Sequence, residues 1–520
     1  MSNSVHWFLF LLLAGLLQHV EAQSFIRTEL STELESPWEI TYGPDGFLWL
    51  TEGGGKVSRV NPVSGNKQQI YDASDYFNGA ESERHPLCHQ PKIGSGTLGL
   101  TLHPDFMVPE SAFIYFVYSY NSGTEQEPRT RFKIVRLLWN HTTQSASQAV
   151  DLITDLPNGH DHLGGRLMAL KRNGQAHLYL SIGDNGLSAE SSPTCYNSPN
   201  ENPNTWTQDP DMRNGKIHRF HMDGSIPADN PIPGNSFYTR GHRNPQGLMY
   251  NSKRDILYDI EHGDRTDDEI NVLVPGMNYG WKDVRGYHDG NHTGEIAFIE
   301  NYVPHPDING DKVQEALYAW CQDTPASTAS FLEWCTVAPS DGIYYGKYGI
   351  PGWHNSLLVV TLKQGSTTNK QVFRFQLNED GTSLTPSTAN KPNPTVYFAE
   401  DQEENGRLRD IALSPDGGTI YLINNGGAQD KITVYTYDPS GDLGPGETTR
   451  LYPNPANDQV NILSRNTIAE TKVLNLRGDL IWEQVGNISY IDISDWQPGL
   501  YSVQMLTTNG SVENLKLIKL

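Results

Sequence analysis

The sequence predicts an all-β protein, a six-bladed β-propeller followed by a small β-sandwich, and three observations carry that prediction. A loose repeat built on a short apolar strand recurs six times between residues 37 and 435. Turn tripeptides such as Pro44-Asp45-Gly46, His103-Pro104-Asp105 and Pro415-Asp416-Gly417 introduce several of those strands. No long stretch carries the 3.6-residue apolar period of an amphipathic helix. Strand-length runs at recurring intervals are the mark of a propeller, with a set of β-hairpins in a sandwich as the competing arrangement.

The chain divides in order as follows. Residues 1–22 read as a signal peptide: an apolar run from Phe8 to Leu17 precedes Val20-Glu21-Ala22, with cleavage near Gln23. That run is too short to span a bilayer, and no later segment reaches the ~18 apolar residues a spanning helix needs. Residues 23–436 hold the repeats. Their strands include Phe47–Leu50, Leu178–Leu180, Leu257–Asp259, Leu357–Val360 and Ile420–Leu422, each running into a polar, Gly-containing end such as Gly183-Asp184 or His262-Gly263. Residues 437–450, rich in Gly and Pro, form a linker, and 451–520 alternate apolar and polar residues between turns at Asn454-Pro455, Arg477-Gly478 and Pro498-Gly499.

Composition narrows the partners. Acidic residues outnumber basic ones 61 to 38, and the net charge of −23 argues against nucleic acid or an anionic membrane surface. The acidity fits an exported protein that holds divalent cations, and equally a solvated acidic surface. Four cysteines, Cys88, Cys195, Cys321 and Cys335, allow three pairings; the short Cys321–Cys335 loop makes that bridge the preferred one. There is no Cys-x-x-Cys pair, and His85-Pro86-Leu87-Cys88-His89 lacks further ligands at metal-site spacing.

Three stretches carry candidate chemistry: Gly159-His160-Asp161-His162-Leu163-Gly164-Gly165-Arg166, Gly241-His242-Arg243-Asn244-Pro245-Gln246-Gly247, and Gly406-Arg407-Leu408-Arg409-Asp410. In a cyclic repeat fold they occupy equivalent positions around one mouth, so a base, arginines and amides converge on one pocket. His162 is the candidate base, since imidazole titrates near neutral pH; His160 is its neighbour and rival. Asp184, ending a strand of the same repeat, can orient the ring.

The order of several motifs over roughly residues 31–435 resembles the soluble PQQ-dependent sugar dehydrogenases, the glucose/sorbosone dehydrogenase family. They run from Leu98-Gly99-Leu100-Thr101-Leu102-His103-Pro104-Asp105-Phe106 through His162-Leu163-Gly164-Gly165-Arg166-Leu167, Ile182-Gly183-Asp184 and Arg243-Asn244-Pro245-Gln246-Gly247. Asp267-Asp268-Glu269-Ile270-Asn271, Asn278-Tyr279-Gly280-Trp281, Leu362-Lys363 and Arg407-Leu408-Arg409-Asp410 follow. The resemblance implies six blades and oxidation of an aldose at its anomeric carbon to a lactone, with PQQ and Ca2+ as cofactors and an unidentified electron acceptor as partner. It implies His162, Asp184 and Arg243 as catalytic residues, and Arg243, Asn244, Lys363, Arg407, Arg409 and Trp334 as cofactor-binding residues. For calcium it implies the Gly263 and Asp264 carbonyls, the latter where the family usually has proline, and a second site at Asp268, Glu269 and Tyr279. In one further departure Gly94 stands where the family carries a glutamine, a contact that Gln90 could supply instead.

The tail resembles the sorting domain of the type IX secretion system of Gram-negative bacteria, through Leu451-Tyr452-Pro453-Asn454-Pro455, Leu474-Asn475-Leu476-Arg477-Gly478, Pro498-Gly499-Leu500-Tyr501 and Lys516-Leu517-Ile518-Lys519-Leu520. That implies dealings with the secretion machinery and a secreted or outer-membrane-surface location. Two other functions compete with the dehydrogenase: a non-catalytic carbohydrate- or protein-binding propeller, which the loss of the glutamine favours, and a calcium-dependent lactonase. A lactonase needs a metal held by side-chain carboxylates and amides around the axis, and has no use for four cations.

Overall fold

The computed structural model describes residues 23–520 apart from 81–93, 148, 160, 187–205, 322–334, 364–370, 390, 427–428, 439–440, 442, 444–445, 453 and 457. The expected signal peptide, His85, Cys88, His89, Gln90, His160, Cys195 and Trp334 lie outside the described residues. Helix among the described residues is confined to short segments such as Glu295–Glu300 and Gln402–Asn405. No helix among the described residues is long and apolar enough to cross a membrane.

Residues 24–438 fold into six antiparallel sheets of four or five strands. Their inner strands are Glu39–Tyr42, Thr97–Leu102, Gly164–Arg172, Pro245–Asn251, Pro339–Tyr345 and Leu408–Leu413. Each touches the next in cyclic order, and the sixth returns to the first, so the sheets close as a propeller. Closure is made by the N-terminal strand Ser24–Glu29, which becomes the outermost strand of the last sheet: Ser24 lies opposite Asp438 and Glu29 opposite Thr433. The start of the chain is thereby paired with its sixth repeat, which fastens the ring.

The strands read as near-continuous buried runs, because neighbouring sheets cover both faces. Leu48 to Glu52 is buried at every position. Between the first two sheets Trp49 is wholly buried and meets Trp139 edge-on, with ring centroids 5.1 Å apart. Such pairs contribute about 0.5–1.5 kcal/mol beyond their buried area. The Cys321–Cys335 disulfide expected from the short loop is formed, with Cα atoms 5.8 Å apart.

Five of the six inner strands break register at their first residues: Thr97/Leu100, Gly164/Leu167, Pro245/Gly247, Pro339/Asp341 and Leu408/Asp410. A bulge leaves an extra residue off the ladder and re-aims its side chain. Gln246, Ser340 and Arg409 are such residues, and all three are buried near the middle of the ring.

Beyond residue 448 lie a three-stranded sheet (Thr449–Tyr452, Gln459–Ser464, Tyr490–Asp492) and a four-stranded one (Leu480–Val485, Ile468–Asn475, Gly499–Thr507, Val512–Lys519). Val460, Val473, Ile491, Val503 and Leu517 fill the space between them, fully buried. Leu463 on this unit joins the propeller residues Tyr345 and Trp353 in one apolar cluster.

Candidate active site

The loops that enter the inner strands surround a cavity of about 870 Å³, within the range of pockets that enclose a small organic ligand. His162, Arg243, Asn244, Gly263, Asp264, Asp268, Lys363, Arg407 and Arg409 all line it. Asp184 stands directly behind His162. Glu269 and Tyr279 line a separate, smaller recess with Glu261, Asp267 and Trp281.

His162 is placed by close approach of two backbones. His162 takes a positive φ of 49°, followed by Gly164 and Gly165 at 64° and 92°, a conformation that disfavours side chains and is retained where a site needs it. A Cβ on Gly183 would lie 2.0 Å from the His162 carbonyl oxygen, so only glycine lets the turn settle against the strand end that carries Asp184. There, fully buried, Asp184 Oδ1 lies 2.7 Å from His162 Nδ1 and accepts the Gly186 N–H at 2.8 Å. Asp184 Oδ2 accepts the Trp281 indole N–H at 2.9 Å. With Nδ1–H held by a carboxylate, Nε2 keeps its lone pair for the cavity that His162 lines.

The same cavity is lined by a set of cations. Neither Arg407 nor Arg409 forms an ion pair with a carboxylate among the described residues. Burial lowers the pKa of both guanidinium groups, and for Arg409, beside the Arg166 cation, pushes it down to about 9. Arg409 donates from Nη2 to Gln246 Oε1 at 2.9 Å and stacks 4.0 Å over Trp38, while its buried Nε has no hydrogen-bond partner. Lys363 donates to the Thr336 carbonyl at 2.8 Å. Arg243 donates to the His262 carbonyl at 3.0 Å and lies 3.8 Å from Asp264, which also meets Arg285 at 3.4 Å. His262, half-buried beside Arg243, is neutral, its pKa pushed down to about 3 by desolvation of the ring first and then by that cation, and its Nε2 has no hydrogen-bond partner among the described residues. A cavity lined by Arg243, Lys363, Arg407 and Arg409, the last two without a carboxylate ion pair among the described residues, suits an anionic, oxygen-rich ligand.

Asp268 and Glu269 are consecutive but are parted by the alternation of a strand. Asp268 faces the cavity and accepts the backbone N–H groups of Val337 (2.6 Å), Ala338 (2.8 Å) and Gly263 (3.0 Å). Glu269 accepts from Gly286 (2.6 Å) and Asn271 (3.2 Å) in the smaller recess beside Tyr279. Burial raises the pKa of both carboxyls. Gly94 is no vacancy either. A Cβ there would lie 2.9 Å from Leu163 Cδ1 and 3.0 Å from the Gly159 carbonyl, so Leu163 occupies the space a glutamine stem would need.

At the centre of the ring Arg166 is clasped by carboxylates from three other inner strands: Glu39, Asp410 at 3.0 Å and Asp341 at 3.4 Å. Its Nε donates to the Gln246 carbonyl at 3.0 Å, and its guanidinium lies 4.2 Å from the Trp38 ring that also carries Arg409. Trp38, Gln246 and His262 also line the cavity, although the sequence assigned none of them a role: Gln246 stood inside a quoted motif, and Trp38 and His262 only at repeat boundaries.

Residues 34–433 match the glucose/sorbosone dehydrogenase family model, and 450–519 match that of a secretion system C-terminal sorting domain. Quinoprotein glucose dehydrogenase B of Acinetobacter calcoaceticus is 31% identical over 446 residues, covering 78% of this chain and 86% of that protein. Aldose sugar dehydrogenase YliI of Escherichia coli K12 is 25% identical over 420 residues, covering 78% and 91%. The PQQ-bound aldose sugar dehydrogenase of Streptomyces coelicolor superposes with a TM-score of 0.55 at 22% identity, over 80% of this chain and 99% of that one, and so shares the fold. With four-fifths of its length accounted for in this way, the chain belongs to the glucose/sorbosone dehydrogenase family.

Proposed function

We propose that this protein is an exported oxidoreductase that oxidises aldoses at the anomeric carbon to lactones, with PQQ and calcium as cofactors. The observation that carries the reading is that one cavity gathers His162, backed by Asp184, with Arg407 and Arg409, which form no ion pair with a carboxylate among the described residues. The cavity suits PQQ, a flat tricarboxylate: Arg407, Arg409 and Lys363 would hold its carboxylates, and Arg243 and Asn244 its quinone edge. The carbonyls of Gly263 and Asp264 would hold calcium in the cavity, and Glu269 and the Tyr279 backbone a second ion, with Asp268 bracing the wall. When bound, PQQ would supply the two-electron acceptor for the hydride leaving C1, and calcium would supply positive charge beside it.

His162 Nε2 takes the proton of the anomeric hydroxyl as the C1–O1 bond becomes a carbonyl. Asp184 stabilises the imidazolium that forms, and Arg243 supplies positive charge where negative charge develops. Leu98 and Leu163 give the wall beside the base an apolar face. Arg166 fills the carboxylate cluster at the centre of the ring with a guanidinium, which speaks against a lactonase metal there. The sorting-domain match supports passage through the type IX machinery to the cell surface or medium.

The test is reconstitution of the purified chain with PQQ and calcium, followed by a panel of aldoses and a dye acceptor. Lactone formation coupled to dye reduction supports the proposal. A chain that binds sugar but not PQQ would make it a binding propeller.

A further inference from the structure

The geometry points to a divalent transition-metal site, for an ion of the zinc class, held by His242 Nδ1 and the carboxylates of Asp259 and Glu261. The three ligand atoms all lie within 4.8 Å of one another, and all three residues are buried. None of them belongs to the calcium sets above, and the inference does not depend on PQQ or sugar.

The separations are those of a coordination shell. His242 Nδ1 is 3.1 Å from Glu261 Oε1 and 3.4 Å from an Asp259 oxygen. A tetrahedral ion with bonds of about 2.0–2.1 Å has ligand-to-ligand edges of about 3.3–3.4 Å, and an octahedral one edges of about 3.0 Å. The imidazole is already fixed for this task. Its Nε2 lies 2.9 Å from Thr239 Oγ1, and its face stacks on Tyr279 with centroids 4.7 Å apart. An N–H donated from Nε2 to the hydroxyl leaves the Nδ1 lone pair directed between the carboxylates, as metal-bound histidines require.

A second observation is independent of that clustering. Asp259 is wholly buried, yet neither carboxylate oxygen accepts a hydrogen bond among the described residues. Asn271, also wholly buried, donates from Nδ2 to Glu261 Oε1 at 3.1 Å and leaves its own Oδ1 without a partner. A buried carboxylate with no donor needs a cation against it; with no ion bound, that cation is the His242 imidazolium, whose pKa burial lowers but Glu261 and Asp259 raise overall to about 10. Two carboxylates and a protonated imidazole sum to one negative charge; two carboxylates, a neutral imidazole and a divalent ion sum to zero. The imidazole nitrogen among the ligands favours zinc over calcium and magnesium. Glu261 Oε2 accepts the Arg243 N–H at 2.8 Å, so the ion would brace the loop that carries Arg243.

The experiment loads the purified full-length chain with Zn2+, removes loose ions by gel filtration, and measures metal content by mass spectrometry. Crystals of the same protein give an anomalous difference map at the zinc edge. The expected result is one retained equivalent per chain and an anomalous peak between His242, Asp259 and Glu261. Asp259→Asn, nearly isosteric, should weaken binding by more than the ~10–100-fold that loss of an outer partner costs. Wild-type crystals without a peak there overturn the site whatever the variants do. Undiminished zinc in Asp259→Asn, or a doubly protonated His242 ring in zinc-loaded protein by nitrogen NMR, overturns it as well.

Discussion

Replacing Asp184 with asparagine separates the charge of this residue from its shape. The native carboxylate accepts from three donors, His162 Nδ1, the Gly186 N–H and the Trp281 indole N–H, at 2.7, 2.8 and 2.9 Å. An amide has one accepting oxygen. Turned toward His162 and Gly186, it opposes its NH2 to the indole N–H; turned the other way, it forces His162 into the tautomer whose Nε2 carries a proton and cannot act as base. Either arrangement leaves a buried donor unpaired, at about 1–3 kcal/mol of stability. The larger effect is on turnover. A unit charge 2.7 Å from the ring at an effective dielectric constant near 20 is worth about 6 kcal/mol before solvation is counted. That is enough to remove the whole ~10²–10⁴-fold contribution of general-base catalysis. Aldose-dependent dye reduction by the reconstituted variant should therefore fall by about 10²–10⁴ in kcat, while PQQ affinity, read from its absorbance, stays within about threefold. A kcat within about tenfold of wild type would refute the assignment of Asp184 as the partner of a base.

Other outcomes follow from particular contacts. Arg409→Met should weaken PQQ binding about 10–150-fold, the cost of one hydrogen-bonded charge, because its guanidinium faces the cavity with Nε unpartnered; an unchanged titration would show that Arg409 only packs on Trp38. Gly183→Ala should lower both the melting temperature and kcat, since its Cβ would lie 2.0 Å from the His162 carbonyl. His218 is buried between Ser236 Oγ and the Arg213 carbonyl, at 2.9 and 3.0 Å, and burial pushes its pKa down to about 3. Below its unfolded value of about 6.5 the unfolded chain binds a proton that the fold refuses, so stability falls as pH drops toward 3. Between pH 7 and pH 5 this amounts to about 2 kcal/mol, and denaturant unfolding of His218→Gln should show a pH dependence smaller by that amount.

The propeller was legible because its strands are apolar at almost every position and its turns are punctuated by Pro, Asp and Gly. His162 and Asp184 were legible because both stand at ends of one repeat, where a closed ring brings them together. Gln246 was not, because its role comes from a strand bulge, which is a matter of register rather than residue type. Trp38 was hidden for a different reason: an aromatic entering the first strand looks like core, and its cation-stacking role needs two distant arginines to converge on it. Asp268 and Glu269 read as one acidic pair, yet the strand parts them, giving one to the cavity and backbone N–H groups and the other to the recess beside Tyr279. Asp259 gave no signal until the fold showed a buried carboxylate without a donor.

The central claim, that His162 draws a proton from the anomeric hydroxyl while C1 loses hydride to a bound quinone, is tested most directly by one anaerobic turnover. Protein loaded with PQQ and calcium is mixed with an aldose carrying deuterium at C1, and the quinone absorbance is followed in wild type and His162→Ala. The account predicts reduction of the cofactor by sugar alone, slowed severalfold by deuterium and by at least about a hundredfold in the variant. Quinone that stays oxidised in the wild type, or is reduced equally fast by His162→Ala, would contradict it.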